Sequence, residues 1–299
     1  MIKVKLIGGL GNQLFQIAYA YDLSKKLGHN IIVDASQYKT YKIRSLEIDK
    51  LFISQHLEFD YVGKDRKFNI TSVAYRVIQK LIKSFYRRSD FGKIIFRTLS
   101  KCGCLYNFDP HFYNLGLNFS KNEKIYIYGY FQSEYYFDAT KKDIKRFFKV
   151  NLDVSPLENK YLSIIKSKPN IAMSMRLGDD YYNCDILNVC NESYYINALR
   201  EMVGKTDAEN IIVFSDDIQR AKKVLENEPY HFVFIENVNA IQSLRLMYSC
   251  DNFVIANSSF SWWGAYLSDN KDKKIIAPSR WYNYDNNVND IYCMDMGIL

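Results

Sequence analysis

Short apolar runs, each followed by a stretch of helical periodicity, recur along this chain, and that alternation leaves few folds open to it. A strand buried on both faces reads as a continuous apolar run, and strands separated by helices pair in parallel with the helices covering the sheet. Residues 1–7 read as such a strand, Gly8-Gly9-Leu10-Gly11 as a glycine turn, 12–27 as a helix stopping at Gly28, and 30–33 as a second strand ending at Asp34. Residues 60–101 read as helical and basic. A strand is predicted over 125–128 before Gly129, and a helix over 141–149 closes the first half. The second half restarts with a strand over Asn170–Met175 and continues with strands over 210–214, 232–235, 253–256 and, last, 274–277, with helices near 193–202 and over 240–250. The boundary between the halves is expected near 150–170, around Pro156 and Pro169. A chain of 299 residues has room for two such domains.

The formal net charge is +7, and one stretch carries all of it. Residues 72–102 hold Arg76, Lys80, Lys83, Arg87, Arg88, Lys93, Arg97 and Lys101 against the single acid Asp90. Arg76, Lys80, Lys83 and Arg87 fall at helical spacing on one face, and Val77, Ile78, Leu81, Ile82 and Phe85 on the other. Such a segment is either a solvated helix face or a basic amphipathic surface for an anionic membrane. No nucleic-acid-binding motif accompanies it. The six cysteines form no CxxC pair and the four histidines show no ligand spacing, so neither a zinc site nor a histidine metal site is expected. The apolar run at the N-terminus is too short for a signal sequence and no run is long enough to span a bilayer, so the expectation is a cytoplasmic protein that can sit peripherally on the membrane.

Three segments carry chemistry. Glycines between a strand and a helix start suit a phosphate, because exposed N–H groups and the helix dipole both favour an anion. A nicotinamide site is the obvious rival, with Asp34 at about the right distance, but from Gly9 the pattern is G-x-G-x-x-Leu14, and leucine blocks the close helix–strand packing of that fingerprint. A P-loop fails too: Gly204-Lys205-Thr206 has the ending, but Leu199 stands where the first glycine is needed. In Met173-Ser174-Met175-Arg176-Leu177-Gly178-Asp179-Asp180, Arg176 emerges from the carboxyl end of a strand, where open α/β sheets bind ligands. Arginine bonds phosphate bidentately and stays charged, although an Arg–Asp surface pair fits as well. In Asn257-Ser258-Ser259-Phe260-Ser261-Trp262-Trp263-Gly264 a strand runs out into hydroxyl residues before a helix, an arrangement that can hold a diphosphate. At least one of the tryptophans is expected in the core. No two aspartates stand two apart, so the DxD pair that commonly holds a metal in nucleotide-sugar enzymes is missing. Arg176 and the helix N-termini are then the means of neutralising a departing diphosphate.

Together these segments resemble the alpha-1,2-fucosyltransferases of glycosyltransferase family 11, bacterial type. The likeness begins with Gly8-Gly9-Leu10-Gly11-Asn12-Gln13-Leu14-Phe15-Gln16 and continues with Gly129-Tyr130-Phe131-Gln132-Ser133-Glu134, the Arg176 segment, Phe214-Ser215-Asp216-Asp217 and Asn257 to Gly264, ending near Pro278 and Trp281. It implies an α/β, GT-B-like fold of two Rossmann-like halves facing a cleft: an acceptor-side domain over 1–155 with a basic helical insertion, and a GDP-fucose-binding domain over 156–299. It implies inverting transfer of L-fucose from GDP-fucose to O2 of a terminal galactose, with no metal and no cofactor beyond the donor. The galactose-terminated acceptor, on a lipid carrier, would belong to a surface polysaccharide such as O-antigen. By the same resemblance Arg176 binds the diphosphate, and Asn257, Ser258, Ser259, Phe260 and Ser261 lie along the donor. Ser215, Asp216 and Asp217 lie near the nucleoside, and Gly9, Gly11, Asn12 and Gln13 close over the cleft.

One departure stands out. The family's segment is His-x-Arg-x-Gly-Asp-Tyr; here Ser174 occupies the histidine position and Asp180 the tyrosine position. Serine is no general base near neutral pH, so Asp179 and Asp180 become the candidates to take the acceptor proton. Two other readings stay open: a fucosyltransferase of different linkage, nearer to enzymes acting on chitin-like or protein glycans, and a non-catalytic nucleotide-sugar or glycan-binding homologue.

Overall fold

The computed structural model describes residues 1–40, 45–81, 89–108, 112–113, 119, 124–283, 290–293 and 295–299. The chain divides into two compact units, Met1–Phe148 with Val288–Tyr292, and Lys149–Asn287 with Cys293–Leu299.

The first unit is built on β1 (Ile2–Lys5), β2 (Ile31–Asp34), β3 (Leu57–Asp60), β4 (Cys104–Asn107) and β5 (Ile125–Gly129), all parallel in the order β3-β2-β1-β5-β4. Helix α1 (Leu10–Leu27) follows β1 and is buried through most of its length, from Leu10 to Leu23, as befits a helix enclosed on several sides. Its polar residues are matched inside: Gln16 accepts from the Ile7 N–H and donates to the Ile7 carbonyl, both at 3.1 Å, prolonging β1 by a side-chain rung. Gly129 ends β5 at φ +149°, and a Cβ there would lie 1.7 Å from the Asn107 carbonyl oxygen, so only glycine closes this strand end.

Helices α2 (Arg66–Leu81) and α3 (Ser89–Ser100) form the basic insertion, and α4 (Lys141–Phe147) closes the unit. Phe68 and Tyr75 of α2, with Ile95 and Leu99 of α3, pack on Tyr106, Tyr126 and Tyr128 of the sheet. Where described, both faces read for α2 are open: Val77 and Ile78 are exposed as well as Arg76 and Lys80. Aromatic residues took the inner positions, because Phe68 and Tyr75 complete a tyrosine-rich cluster that valine is too small to fill. Lys83, Arg87, Arg88, Ile82 and Phe85 lie outside the described residues.

The second unit opens with α5 (Pro156–Ser167). Pro156, read from sequence as boundary punctuation, is the first residue of this helix. Ser155 and Glu158 form a reciprocal capping box around it. Then follow β6 (Asn170–Met175), α6 (Asp179–Tyr182), α7 (Glu192–Lys205), β7 (Asn210–Ser215), α8 (Ile218–Val224), β8 (His231–Phe234), α9 (Ala240–Tyr248), β9 (Asn252–Val254), α10 (Ser259–Tyr266), β10 (Ile275–Ala277) and β11 (Met296–Ile298). The sheet is parallel, ordered β11-β10-β9-β6-β7-β8. Read from the other edge this is the third, second, first, fourth, fifth and sixth strand of the unit, the Rossmann order. Strand β11 lies beyond the run expected to be last, and β3 and β4 were also missed. Both tryptophans of α10 are fully buried, Trp262 stacked on Tyr266 at 4.6 Å. Among the described residues no helix is long and apolar enough to cross a membrane.

Candidate functional site

The strand order of the second unit reverses at β6. Chain order runs from β6 out to β8 on one side, then returns to β9 on the other. Loops leaving adjacent strands part at such a point and leave a crevice above the carboxyl ends. Three strand ends meet here, those of β9, β6 and β7, and the segments leaving them carry Asn257 with Ser258, Arg176 with Gly178, and, after Ser215 at the end of β7, Asp216 with Asp217.

Arg176 is the first residue beyond β6, and its side chain is 26% exposed. One guanidinium nitrogen pairs with Asp216 at 2.6 Å and the other with Asp180 at 2.6 Å. Its backbone N–H donates to the Tyr195 hydroxyl at 2.8 Å. Burial pushes that phenol well above its ordinary value, so Tyr195 stays a neutral brace from α7. The second oxygen of Asp216 accepts the Leu177 and Gly178 N–H groups at 2.7 and 3.1 Å. A Cβ on Gly178 would come within 2.8 Å of Asp216, so glycine permits this approach.

A second cation, missed in the sequence, holds the loop from the other side. Arg220 of α8 donates to the Leu177 carbonyl at 2.8 Å, pairs with Asp179 at 2.7 Å and reaches Asp217 at 3.3 Å. The bond to Asp179 raises its pKa further, keeping it charged. Asp217 also caps α8 through the Arg220 N–H, and the Ser215 hydroxyl bonds the Asp217 backbone. Ser215 and Asp217 therefore shape the loop, while Asp216 touches Arg176.

Asn257 is buried and committed: its amide donates to the Leu187 and Trp281 carbonyls at 2.8 and 3.0 Å, and its oxygen accepts from the Tyr181 hydroxyl at 2.5 Å. Cys190 also reaches that oxygen, and burial raises its thiol to about 11. Ser261 is buried and donates back to the Ala256 and Ser258 carbonyls. Ser258, Ser259 and Phe260 remain partly accessible, and Ser258 makes no side-chain cap on α10. The start of α10 thus offers N–H groups beside the strand that carries Arg176. Ser174 is half-buried within β6 and pairs in register with Phe214.

In the first unit the glycine turn is a tight strand-to-helix junction. Gly8 takes φ +79°, where a Cβ would meet the Asn12 amide at 2.6 Å, and Gly9 is the N-cap of α1. Gly11 is buried inside the helix. Gln13 is fully buried and spends its amide on the Gly8 and Ser45 carbonyls and the Glu47 and Ile48 N–H groups. Asn12 accepts from Gln132 at 2.9 Å, which ties the glycine segment to the Gly129–Glu134 segment.

A Rossmann-ordered parallel sheet in one unit and a second parallel sheet in the other make the fold of GT-B glycosyltransferases. The fucosyltransferase NodZ from Bradyrhizobium shares it, with a TM-score of 0.56 at 12% identity over 91% of this chain and 96% of that one. Across residues 1–295 the sequence matches Glycosyl transferase family 11, and the chain belongs to that family. The alpha-1,2-colitosyltransferase of Escherichia coli is 29% identical over 293 residues, 94% of this chain and 92% of the relative. The O-antigen biosynthesis glycosyltransferase WbnK of Escherichia coli is 29% identical over 294 residues, 94% and 95% of the two chains.

Proposed function

We propose that this glycosyltransferase moves L-fucose from GDP-fucose to O2 of a terminal galactose on a lipid-linked glycan of a surface polysaccharide, with inversion and without a metal. The observation that carries the reading is Arg176 at the strand-order reversal, adjacent to the start of α10. A guanidinium and a helix N-terminus that converge on one crevice can accept the charge of a nucleoside diphosphate as it departs. NodZ, which shares the fold, has been crystallised as an alpha-1,6-fucosyltransferase soaked with GDP-fucose, and the relatives' names supply the alpha-1,2 linkage and O-antigen synthesis.

In this mechanism the acceptor oxygen attacks the anomeric carbon from the face opposite the diphosphate. The carbon–oxygen bond to the diphosphate breaks and GDP leaves with the electron pair. A diphosphate on Arg176 displaces Asp180 from its ion pair, and the released carboxylate takes the acceptor proton. Arg220 holds Asp179 and the Leu177 carbonyl, fixing the loop during this exchange.

The test is GDP release from GDP-fucose with a panel of β-galactosides in the presence of EDTA, with the product linkage read by NMR. Acceptor-dependent release and a 1,2 linkage are expected. Donor binding without transfer to any acceptor would sink the reading. The colitosyltransferase relative favours one second reading, a colitose donor. Faster turnover of the colitose nucleotide than of GDP-fucose would select it.

A further inference from the structure

The outer surface of α2 and α3 has no role in the site above. Phe68, Ser72 and Tyr75 turn inward, leaving Ile70, Val73, Val77 and Ile78 of α2 exposed by 57, 62, 50 and 46%, and Ile94 of α3 by 60%. Globular proteins rarely collect so many open aliphatic side chains on one face unless something covers it. Lys67, Arg76 and Lys80 flank the α2 stripe, Lys93 and Arg97 flank Ile94, and all are exposed. No acidic residue occurs between Arg66 and Lys80. Both helices lean on the same aromatic cluster of the sheet, so their outer surfaces turn away from the core together.

We propose that this surface seats on an anionic bilayer, its aliphatic side chains entering the acyl boundary and its cations meeting headgroup phosphates. The chemistry selects that occupant. A second copy of the chain would bring the same positive charge against this one. Single-stranded nucleic acid would call for exposed aromatic rings on which bases stack, and the exposed side chains of α2 are aliphatic. An interfacial helix combines an apolar stripe with flanking Lys and Arg, and each such cation adds binding to an anionic leaflet. The proposal does not rest on the donor assignment.

Co-sedimentation with sucrose-loaded vesicles tests it, comparing phosphatidylcholine alone with an equimolar mixture of phosphatidylcholine and phosphatidylglycerol. The protein should pellet with the mixed vesicles and not with the neutral ones, and high salt should weaken the association. Replacing Lys80→Ser with Lys93→Ser should lower the partition coefficient roughly 25-fold, about fivefold per cation. Val73→Ser with Val77→Ser should lower it about tenfold. The conservative pair Lys80→Arg and Lys93→Arg should bind as the parent does, and transfer to a soluble acceptor should stay unchanged in all three. Equal pelleting with both vesicle types, no pelleting, or parental binding by both serine variants would overturn the proposal. So would self-association in vesicle-free buffer that the valine variant abolishes, which would assign the face to a second copy.

Discussion

Asp216 grips Arg176 with one carboxylate oxygen at 2.6 Å and the N–H groups of Leu177 and Gly178 with the other. The loop that carries the arginine and the arginine's own head are thus referred to one carboxylate. Asp216→Asn would keep an acceptor for the two N–H groups while turning a neutral amide toward the guanidinium. We expect kcat/KM to fall about 100-fold, the scale of a misplaced binding group, with little change in thermal midpoint. Arg176→Ala should lose more, and Arg176→Lys should recover only part, because an ammonium cannot hold the forked geometry. Steady-state kinetics on the three variants orders them, and near-parental turnover in Arg176→Ala would remove the arginine from the mechanism.

Asp180 is the second partner of Arg176, and its side chain is 59% exposed. On the proposed mechanism a donor diphosphate competes with it for the same guanidinium. Asp180→Asn removes the competing charge, so the KM for the donor should fall roughly two- to fivefold, the worth of an exposed ion pair. On the proposed mechanism the same variant also loses the general base, so kcat should fall as well. A lowered KM with unchanged kcat would leave the competition intact and move the base elsewhere.

The parts of this site that could be read from the sequence share one property: each is a short stretch where a strand runs out into Gly, Ser, Asn or Arg. Arg176 and Ser258 read that way, because the carboxyl ends of parallel strands gather on one edge whatever the strand order; Asp216 comes from the family resemblance alone. What braces them was not legible. Tyr195 and Arg220 lie 19 and 43 residues from the backbone atoms they hold, and no periodicity records such a reach. Gln13 and Asn257 are placed at the site by the family resemblance, and in the fold both amides bond backbone groups. Helix α2 shows the limit of patterning most clearly. Its valines and its aromatics give two apolar stripes, and only the size of the space above the sheet decides which one is buried.

Buried charge in the second unit supports a stability prediction. Arg245 of α9 and Glu158 of α5 meet at 2.9 Å with side chains 8 and 2% exposed, and Arg245 also donates to the Leu152 and Asp153 carbonyls. Arg245→Met would leave a carboxylate buried without its cation and two carbonyls without a donor. The expected loss is about 3–5 kcal/mol in urea unfolding. Replacing Glu158 by Gln in the same chain should return part of it, since the stranded charge is then gone. A double variant no more stable than Arg245→Met alone would show that the carbonyls, rather than the ion pair, set the cost.

In the first unit Lys3 and Asp60 tie β1 to β3 across β2 at 2.8 Å, with side chains 7 and 23% exposed. The hydrogen bond from Lys3 is the largest influence on Asp60 and holds its carboxyl down at about 2, helped by the Val62 and Gly63 N–H groups and opposed by burial. A carboxylate with a depressed pKa stabilises the fold above its unfolded value and loses that contribution as pH falls through its folded value. The interval here runs from about pH 4 down to about pH 2, and the amount at stake is about 2 kcal/mol. Lys3→Met should therefore unfold more readily at neutral pH and show a shallower loss of stability between pH 4 and pH 2. Urea midpoints measured across that interval check it: parallel curves for the two proteins would mean that Asp60 does not draw its acidity from Lys3.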